Sequence, residues 1–463
     1  MQKKKELIIV GAGPGGYAAA FRAADLGLKV TLIDPEVNPG GVCLYRGCIP
    51  SKALLHLTKI KQEATEIAEF GIKFKEPEID LKMINEWKDQ VVKKLTQGLG
   101  QLSKGKKIEY IRGKAKFKSE KSLEIKTEDG ETLELEFENL ILATGSVNSE
   151  IPGIKIDHKK IMDSTDALEL REIPKSMLVI GGGYIGLEMG SVYANLGAEV
   201  SIAEMTSGFL PGADRDLVKV FEKEHPFKTL YFDTKVEKVS EKDNKLIVQL
   251  KNKDQEKQQK EFDKILVAVG RKPNTAYLNL NKANVKTDDK GFIPVNPKRQ
   301  TNIENIYAIG DLAGEPLLAH KASHEGRIAA EVIAGEAGAA YDPKAIPGIV
   351  FTNPEIAWCG LTENQAKETD RKIKTLKFPW LASGRAVAIG AKNGLTKLIV
   401  DATSGRILGG GVAGKNAGSL IPEITFAIEM GATAEDVALS IHPHPTLSET
   451  IMEAAEMFTG GAT

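Results

Sequence analysis

Three features of the 463-residue sequence predict an α/β fold built from two nucleotide-binding units and a third, α+β domain. A strand, a G-x-G-x-x-G turn, a helix, a second strand and an acidic residue follow one another near the N-terminus, and the same order recurs from Lys175. Two buried runs that end on glycine, residues 140–145 and 265–270, close the two units and mark an internal repeat. From about Ala345 the pattern changes to alternating strands and two helical runs.

Composition narrows the class. A chain of this length exceeds one ordinary core. Its 42% hydrophobic and 27% charged residues are those of a globular enzyme. A net charge of -1 excludes a dedicated nucleic-acid binder, which carries a basic excess. No run approaches the roughly 18 apolar residues of a membrane span, and the apolar run 7–10 behind the basic start is too short for a secretory leader. A cytoplasmic protein is expected. Three cysteines cannot staple a secreted scaffold, and a close pair in a reducing compartment points to chemistry.

In the first unit, 6–10 reads as a strand, Gly11, Gly13 and Gly16 as the turn, and 29–33 as the next strand, ending in Asp34. The glycines allow close backbone approach, the helix start faces a pyrophosphate, and the carboxylate takes ribose hydroxyls. Residues 41–52 then hold Cys43 and Cys48. Gly47 permits a tight turn and Pro50 suits a first helical turn, which puts Cys48 at a helix N-terminus, where a thiolate is stabilised. Two inert thiols that happen to be neighbours are the alternative. Residues 51–103 read as a helical insertion. Short strands follow at 108–112, 114–117, 123–126 and 133–137, with a hairpin at Asp129-Gly130, before the run 139–145.

In the second unit, 175–180 is a strand, Gly181, Gly183 and Gly186 form the turn, and 199–203 is a strand ending in Glu204. An acid there accepts from a free ribose 2′-hydroxyl and repels a 2′-phosphate, and 205–210 contain no Arg or Lys, so NAD is favoured over NADP. The alternative for Glu204 is a solvated strand end. Residues 245–251 are the clearest strand of an alternating pair before 264–270. Two nucleotide sites with a cysteine pair suggest a flavin and a nicotinamide.

With the Gly-Cys-Ile-Pro-Ser-Lys run at 47–52, the stretches 143–145, 181–188, 210–215, 269–274, 306–311, 318–322 and 444–449 give the sequence a full-length resemblance to the pyridine nucleotide–disulfide oxidoreductases. That resemblance implies two Rossmann-like domains, the second inserted in the first, and a C-terminal α+β dimerisation domain. It implies an FAD domain at 1–150 (with the insertion 51–103) completed by 281–344, an NAD domain at 151–280 and an interface domain at 345–463. FAD would be held by Gly11, Gly13, Gly16, Asp34, Lys52, Thr144, Gly145, Asp311 and Ala319, and NAD by Gly181, Gly183, Gly186, Glu204 and Gly270. Lys52 and Glu188, otherwise ordinary solvated charges, would pair near the reactive edge of the flavin. No metal is implied.

The implied reaction is oxidation of protein-bound dihydrolipoamide to lipoamide with reduction of NAD+, through a Cys43–Cys48 disulfide. Its partners would be a second copy of the chain, as a homodimer, and a lipoyl-carrying protein of a 2-oxoacid dehydrogenase complex or glycine cleavage system. A glutathione-type relative would prefer NADPH, which Glu204 opposes. A mercuric-ion relative would carry a cysteine pair near the C-terminus, where 457–463 show none. A flavoprotein subunit without chemistry is the third rival.

Dithiol oxidation needs a base, and histidine titrates in the right range. Of seven histidines, His444 is the candidate, acting in the partner subunit's site by resemblance, with Glu449 orienting it. His444 also reads as a solvent-facing loop residue, His442 more so, and Thr446 to Glu449 also reads as a capping box. The chain departs from the family at Val42, Tyr45 and Arg46, whose added charge would favour thiolate, and at Phe351 and Asn353. Cys359 reads as a small core residue.

Overall fold

The computed structural model describes residues 3–461. Expectations resting on Met1 and Gln2 (a leader) and on Ala462 and Thr463 (a C-terminal cysteine pair) fall outside the described residues.

β1 (Lys3–Val10), α1 (Pro14–Asp25) and β2 (Val30–Asp34) form the first βαβ unit, with parallel strands. Every residue of β2 is buried, as in a strand covered on both faces. Three helices follow: α2 (Gly41–Arg46), α3 (Cys48–Glu66) and α4 (Leu81–Gly105). α2 was not expected. It buries only Leu44, so no apolar period betrayed it. Gly47 separates α2 from α3 by close approach, because a Cβ there would lie 2.8 Å from the Val42 carbonyl oxygen.

β3 (Glu109–Ser119), β4 (Ser122–Thr127) and β5 (Thr132–Leu142) come next. The runs 108–112 and 114–117 are therefore one strand, and 133–137 continues into 139–142. Both long strands change partner midway: their outer ends pair antiparallel with β4, and their inner ends pair parallel with β2 and β1. Burial along β5 accordingly switches from alternating to continuous, which split it in the sequence reading.

The chain leaves through β6 (Ser146–Asn148) and β7 (Ile161–Met162), with α5 (Ser164–Leu168), β8 (Ser176–Ile180), α6 (Tyr184–Asn195), β9 (Glu199–Ala203), α7 (Arg215–Glu222) and β10 (Thr229–Tyr231) following. Three antiparallel strands, β11 (Thr234–Lys242), β12 (Lys245–Asn252) and β13 (Lys257–Phe262), stand where a pair was expected, and β14 (Lys264–Val267) closes the parallel sheet β10-β9-β8-β14-β7. β15 (Arg271–Pro273) returns antiparallel to β6, and β16 (Ile306–Ala308) joins β5 in the first sheet, so the second nucleotide-binding domain is inserted in the first. α8 (Ala319–Ile333) packs against α1 at Gly326, where a Cβ would lie 2.3 Å from the Gly15 carbonyl oxygen.

The last domain is a five-stranded antiparallel sheet. Along the chain it contains β17 (Gly348–Val350), β18 (Glu355–Gly360), α9 (Glu363–Lys367), β19 (Ile373–Pro379), α10 (Gly384–Ala388), β20 (Leu395–Asp401) and β21 (Ile407–Gly414). α11 (Ala417–Glu429), α12 (Ala434–Leu439) and α13 (Glu449–Glu456) complete it. The short α12 was not expected, and α13 begins at Glu449 rather than Thr446. Among the described residues no helix is long and apolar enough to cross a membrane.

Candidate active site

The two phosphate-type turns are built alike, bond for bond. Gly11 N–H donates to Ile33 and Gly181 N–H to Ala203, each at 2.8 Å. Gly11 and Gly181 have φ of 100° and 112°, and a Cβ on either would lie 2.3 Å from a backbone oxygen, of Ala143 and Ala268 respectively. A Cβ on Gly16 would lie 1.8 Å from the Gly11 oxygen and one on Gly186 2.1 Å from the Gly181 oxygen. The carbonyls of Gly13 and Gly183 accept the N–H groups of Tyr17 and Leu187 and so open α1 and α6. Both turns thus end in a helix start with free N–H groups, a natural anion site.

The acids are also equivalent. Asp34 accepts from Ala12 N–H (2.7 Å) and Glu36 N–H (3.0 Å), while Glu204 accepts from Gly182 N–H (2.7 Å) and Thr206 N–H (2.8 Å). Each braces its own turn and keeps further lone pairs for a ribose. Burial raises the Asp34 pKa, against the backbone hydrogen bonds that lower it. The first arginine after Glu204 in sequence, Arg215, is tied to the Phe209 carbonyl and, at 2.7 Å, to Glu222.

A cavity of about 650 Å³ runs from the first turn to the cysteines. Gly11, Gly13 and Asp34 line one part of it, Cys43, Cys48 and Lys52 another, and Thr144, Gly145, Asp311 and Ala319 a third. Tyr184, Ile185 and Glu188, at the start of α6, also reach this cavity, so the second nucleotide turn meets the first site here. Gly181, Gly183, Gly186, Glu204 and Gly270 lie outside it, around the second turn.

Cys48 is the first residue of α3 and is exposed to the cavity; Cys43, in α2, is half-buried. Both are free thiols. The Cys43 S–H, hydrogen-bonded to Cys48, is the main influence lowering the Cys48 pKa to about 7; burial opposes it, and the Lys52 charge assists. The same hydrogen bond, with burial, drives the Cys43 pKa up. The pair is therefore asymmetric, with the thiolate at Cys48.

Lys52 and Glu188 are paired, Nζ to Oε2 at 2.6 Å, and Glu188 is only 3% exposed. Its other oxygen accepts the Phe351 N–H at 3.1 Å, and Lys52 Nζ lies 4.8 Å from the centre of the Phe351 ring. Phe351 was read only as a family departure. It holds both members of this pair, through a backbone group and a ring face that no spacing reveals. The expectation for Arg46 is corrected: its guanidinium is bound by Glu36, so its charge is spent there, not on the thiols.

His444 stands apart from its own chain's cavity, 79% exposed, with Nδ1 2.8 Å from Glu449 Oε1. Glu449 Oε2 accepts the Thr446 N–H at 2.7 Å, so the carboxylate both orients the histidine and ties down the turn before α13. His442 corrects the solvent-loop reading. Its side chain is 7% exposed and bonds Glu423 through Nε2 at 2.7 Å and the Ser440 carbonyl through Nδ1 at 2.8 Å. Phe426 on α11, Met430 just after it, and Leu439 and Ile441 around the end of α12 are exposed nearby in sequence, an apolar surface of the kind a partner covers. Cys359 is buried, and burial pushes its thiol up to about 11.

Residues 5–326 match the pyridine nucleotide-disulphide oxidoreductase family and 346–455 its dimerisation domain. The chain belongs to the pyridine nucleotide-disulphide oxidoreductases. Family members similar along nearly the whole chain include a dihydrolipoyl dehydrogenase of Haemophilus influenzae, 47% identical over 99% of this chain and 96% of that protein. Another, from Geobacillus stearothermophilus, is 44% identical over 98% of this chain and 96% of that one. Among solved structures, LpdA from Mycobacterium tuberculosis superposes with a TM-score of 0.91 at 25% identity, covering 98% and 99% of the two chains. The flavoprotein disulfide reductase RclA from Escherichia coli, in a Cu(II) complex, gives 0.87 at 28% identity over 99% and 100%. Members of this family use FAD and NAD(H), and its dimerisation domain equips the chain to pair with a second copy. The residues present fit FAD: Gly11, Gly13 and Asp34 line the cavity at the helix start that closes the first turn, and the cavity continues from there to Cys48.

Proposed function

We propose that this chain oxidises protein-bound dihydrolipoamide to lipoamide and reduces NAD+, the activity named for its relatives at 44–47% identity. The observation that carries this reading is Cys48, poised as a thiolate at the start of α3, in a cavity that begins at the first nucleotide turn and ends at the second.

FAD, when bound, supplies the two-electron relay between the dithiol and NAD. The protein's own groups do the rest. His444, acting in the site of the second copy, takes a proton from one substrate thiol, and Glu449 stabilises the imidazolium. The substrate thiolate attacks Cys43 Sγ of the oxidised pair, the Cys43–Cys48 bond breaks, and Cys48 leaves as the thiolate. The second substrate thiolate then displaces Cys43, which takes up a proton, and cyclic lipoamide departs. Lys52, fixed by Glu188 and Phe351, holds positive charge beside the Cys48 sulfur. Gly181, Gly183, Gly186 and Glu204 bind the nicotinamide dinucleotide.

The substrate arm belongs to a lipoyl-carrying protein of a 2-oxoacid dehydrogenase complex or of the glycine cleavage system. Cys48→Ser tests the scheme: it should abolish dithiol-driven NADH formation while the protein stays yellow. Normal turnover in that variant would overturn it.

A further inference from the structure

The first domain buries a charge cluster that none of these steps uses. Glu325 on α8 is fully buried and bound through Oε1 by Arg299 Nη1 at 2.8 Å and by Lys321 Nζ at 3.2 Å. Its Oε2 accepts the Gly310 N–H at 2.6 Å. Lys321 in turn donates to the carbonyls of Gly310 at 3.1 Å and Gly314 at 2.8 Å. Both backbone polar groups of Gly310 are thus gripped by one buried ion pair. Gly310 has φ of 68°, a conformation open to glycine, and a Cβ there would press on Ala322 at 3.0 Å.

The next residue is Asp311, which lines the cavity and accepts a hydrogen bond from Ser146 Oγ. Ser146 Oγ is itself bound by Arg271 Nε at 2.7 Å. The backbone before Asp311 is therefore set by Glu325 and Lys321, and its carboxylate by Ser146. Burying ions for stability alone is a poor bargain, since well-packed apolar residues often do as well. Here the buried charges converge on the turn that presents Asp311, which argues that placing this turn is their task.

We propose that Glu325, with Lys321 and Arg299, is a positioning unit for the flavin: it fixes Gly310 so that Asp311 meets bound FAD in a single orientation. The proposal rests on the reading of the cavity as the FAD site. Glu325→Gln keeps the side chain's shape and an oxygen for the Gly310 N–H but removes the charge that holds Lys321.

The test uses the holoenzyme, following released flavin by its fluorescence and the fold by far-UV circular dichroism. In Glu325→Gln, flavin should leave at least about tenfold faster at a temperature where the dichroism is unchanged, as expected for loss of a charged hydrogen bond. On heating, flavin release should precede unfolding. Unchanged release, or flavin and fold lost together at a lower temperature, would overturn the proposal and leave a core ion pair. Should Glu325→Gln not fold, Lys321→Gln, which keeps the Arg299–Glu325 pair, carries the same two outcomes. A wild-type protein purified without flavin would overturn the cofactor reading itself.

Discussion

Glu449 gives one carboxylate oxygen to His444 Nδ1, at 2.8 Å, and the other to the Thr446 N–H, at 2.7 Å. A single side chain thus joins the proposed base to the backbone turn before its helix, so orientation of the ring is inherited from the fold. Burial works against the Glu449 carboxylate, but these bonds and the nearby imidazoles outweigh it and lower its pKa.

Glu449→Gln should therefore separate the two roles. The amide oxygen can still accept from Thr446, so unfolding temperature should change little, while dithiol-driven turnover falls about 10- to 100-fold. His444→Gln should cost about 10²- to 10⁴-fold, the usual range for losing a general base. Steady-state kinetics with dihydrolipoamide check both, with NADH-driven flavin reduction as the step that should survive.

The lowered Cys48 pKa of about 7 has a definite sign. Above about pH 7 the reduced pair holds its thiolate at Cys48, and below it the thiolate is lost. The long-wavelength charge-transfer absorbance of the dithiol-reduced enzyme should rise with pH through that value. Lys52→Met removes an assisting positive charge, so the midpoint should move to higher pH. The same change strands Glu188 in the interior with only the Phe351 N–H, and should cost about 1–3 kcal/mol of stability by denaturant titration.

His442 has a raised pKa: burial opposes, and the hydrogen bonds to Glu423 and Ser440 prevail. A raised folded-state value stabilises the fold fully below the unfolded value, near 6.5 for histidine, and the gain is lost as pH rises through the folded value. The stability difference between wild type and His442→Gln should accordingly be largest in mildly acidic buffer and shrink in alkaline buffer. Melting curves across pH read this directly.

The two turns can be told apart by matched substitutions. Gly16→Ala puts a methyl 1.8 Å from the Gly11 oxygen and should yield protein without flavin. Gly186→Ala puts one 2.1 Å from the Gly181 oxygen and should leave the protein yellow but unable to bind NADH tightly. Flavin content and NADH titration distinguish them.

Both G-x-G-x-x-G turns were legible in the sequence because each needs a glycine first and last, at Gly11 and Gly16 and at Gly181 and Gly186, where a Cβ would strike backbone. Cys48 at a helix start was legible through Pro50 and the apolar run behind it. Other features were hidden for physical reasons. β5 changes partners midway, so its two halves follow different burial periods. His442 looked solvent-facing because its acceptor, Glu423, lies on a helix 19 residues away in sequence. Arg46 looked available to the thiols because Glu36 sits beyond the glycine turn that folds it back. Phe351 acts through its N–H and ring face, neither of which carries a motif.

The most direct measurement is an anaerobic titration of the purified yellow protein with dihydrolipoamide, followed by NAD. A long-wavelength charge-transfer band after the dithiol, then NADH formation, would place the Cys48 thiolate beside the flavin and establish the direction of electron flow. A flavin that the dithiol leaves untouched while NADH bleaches it would keep the fold and contradict the substrate.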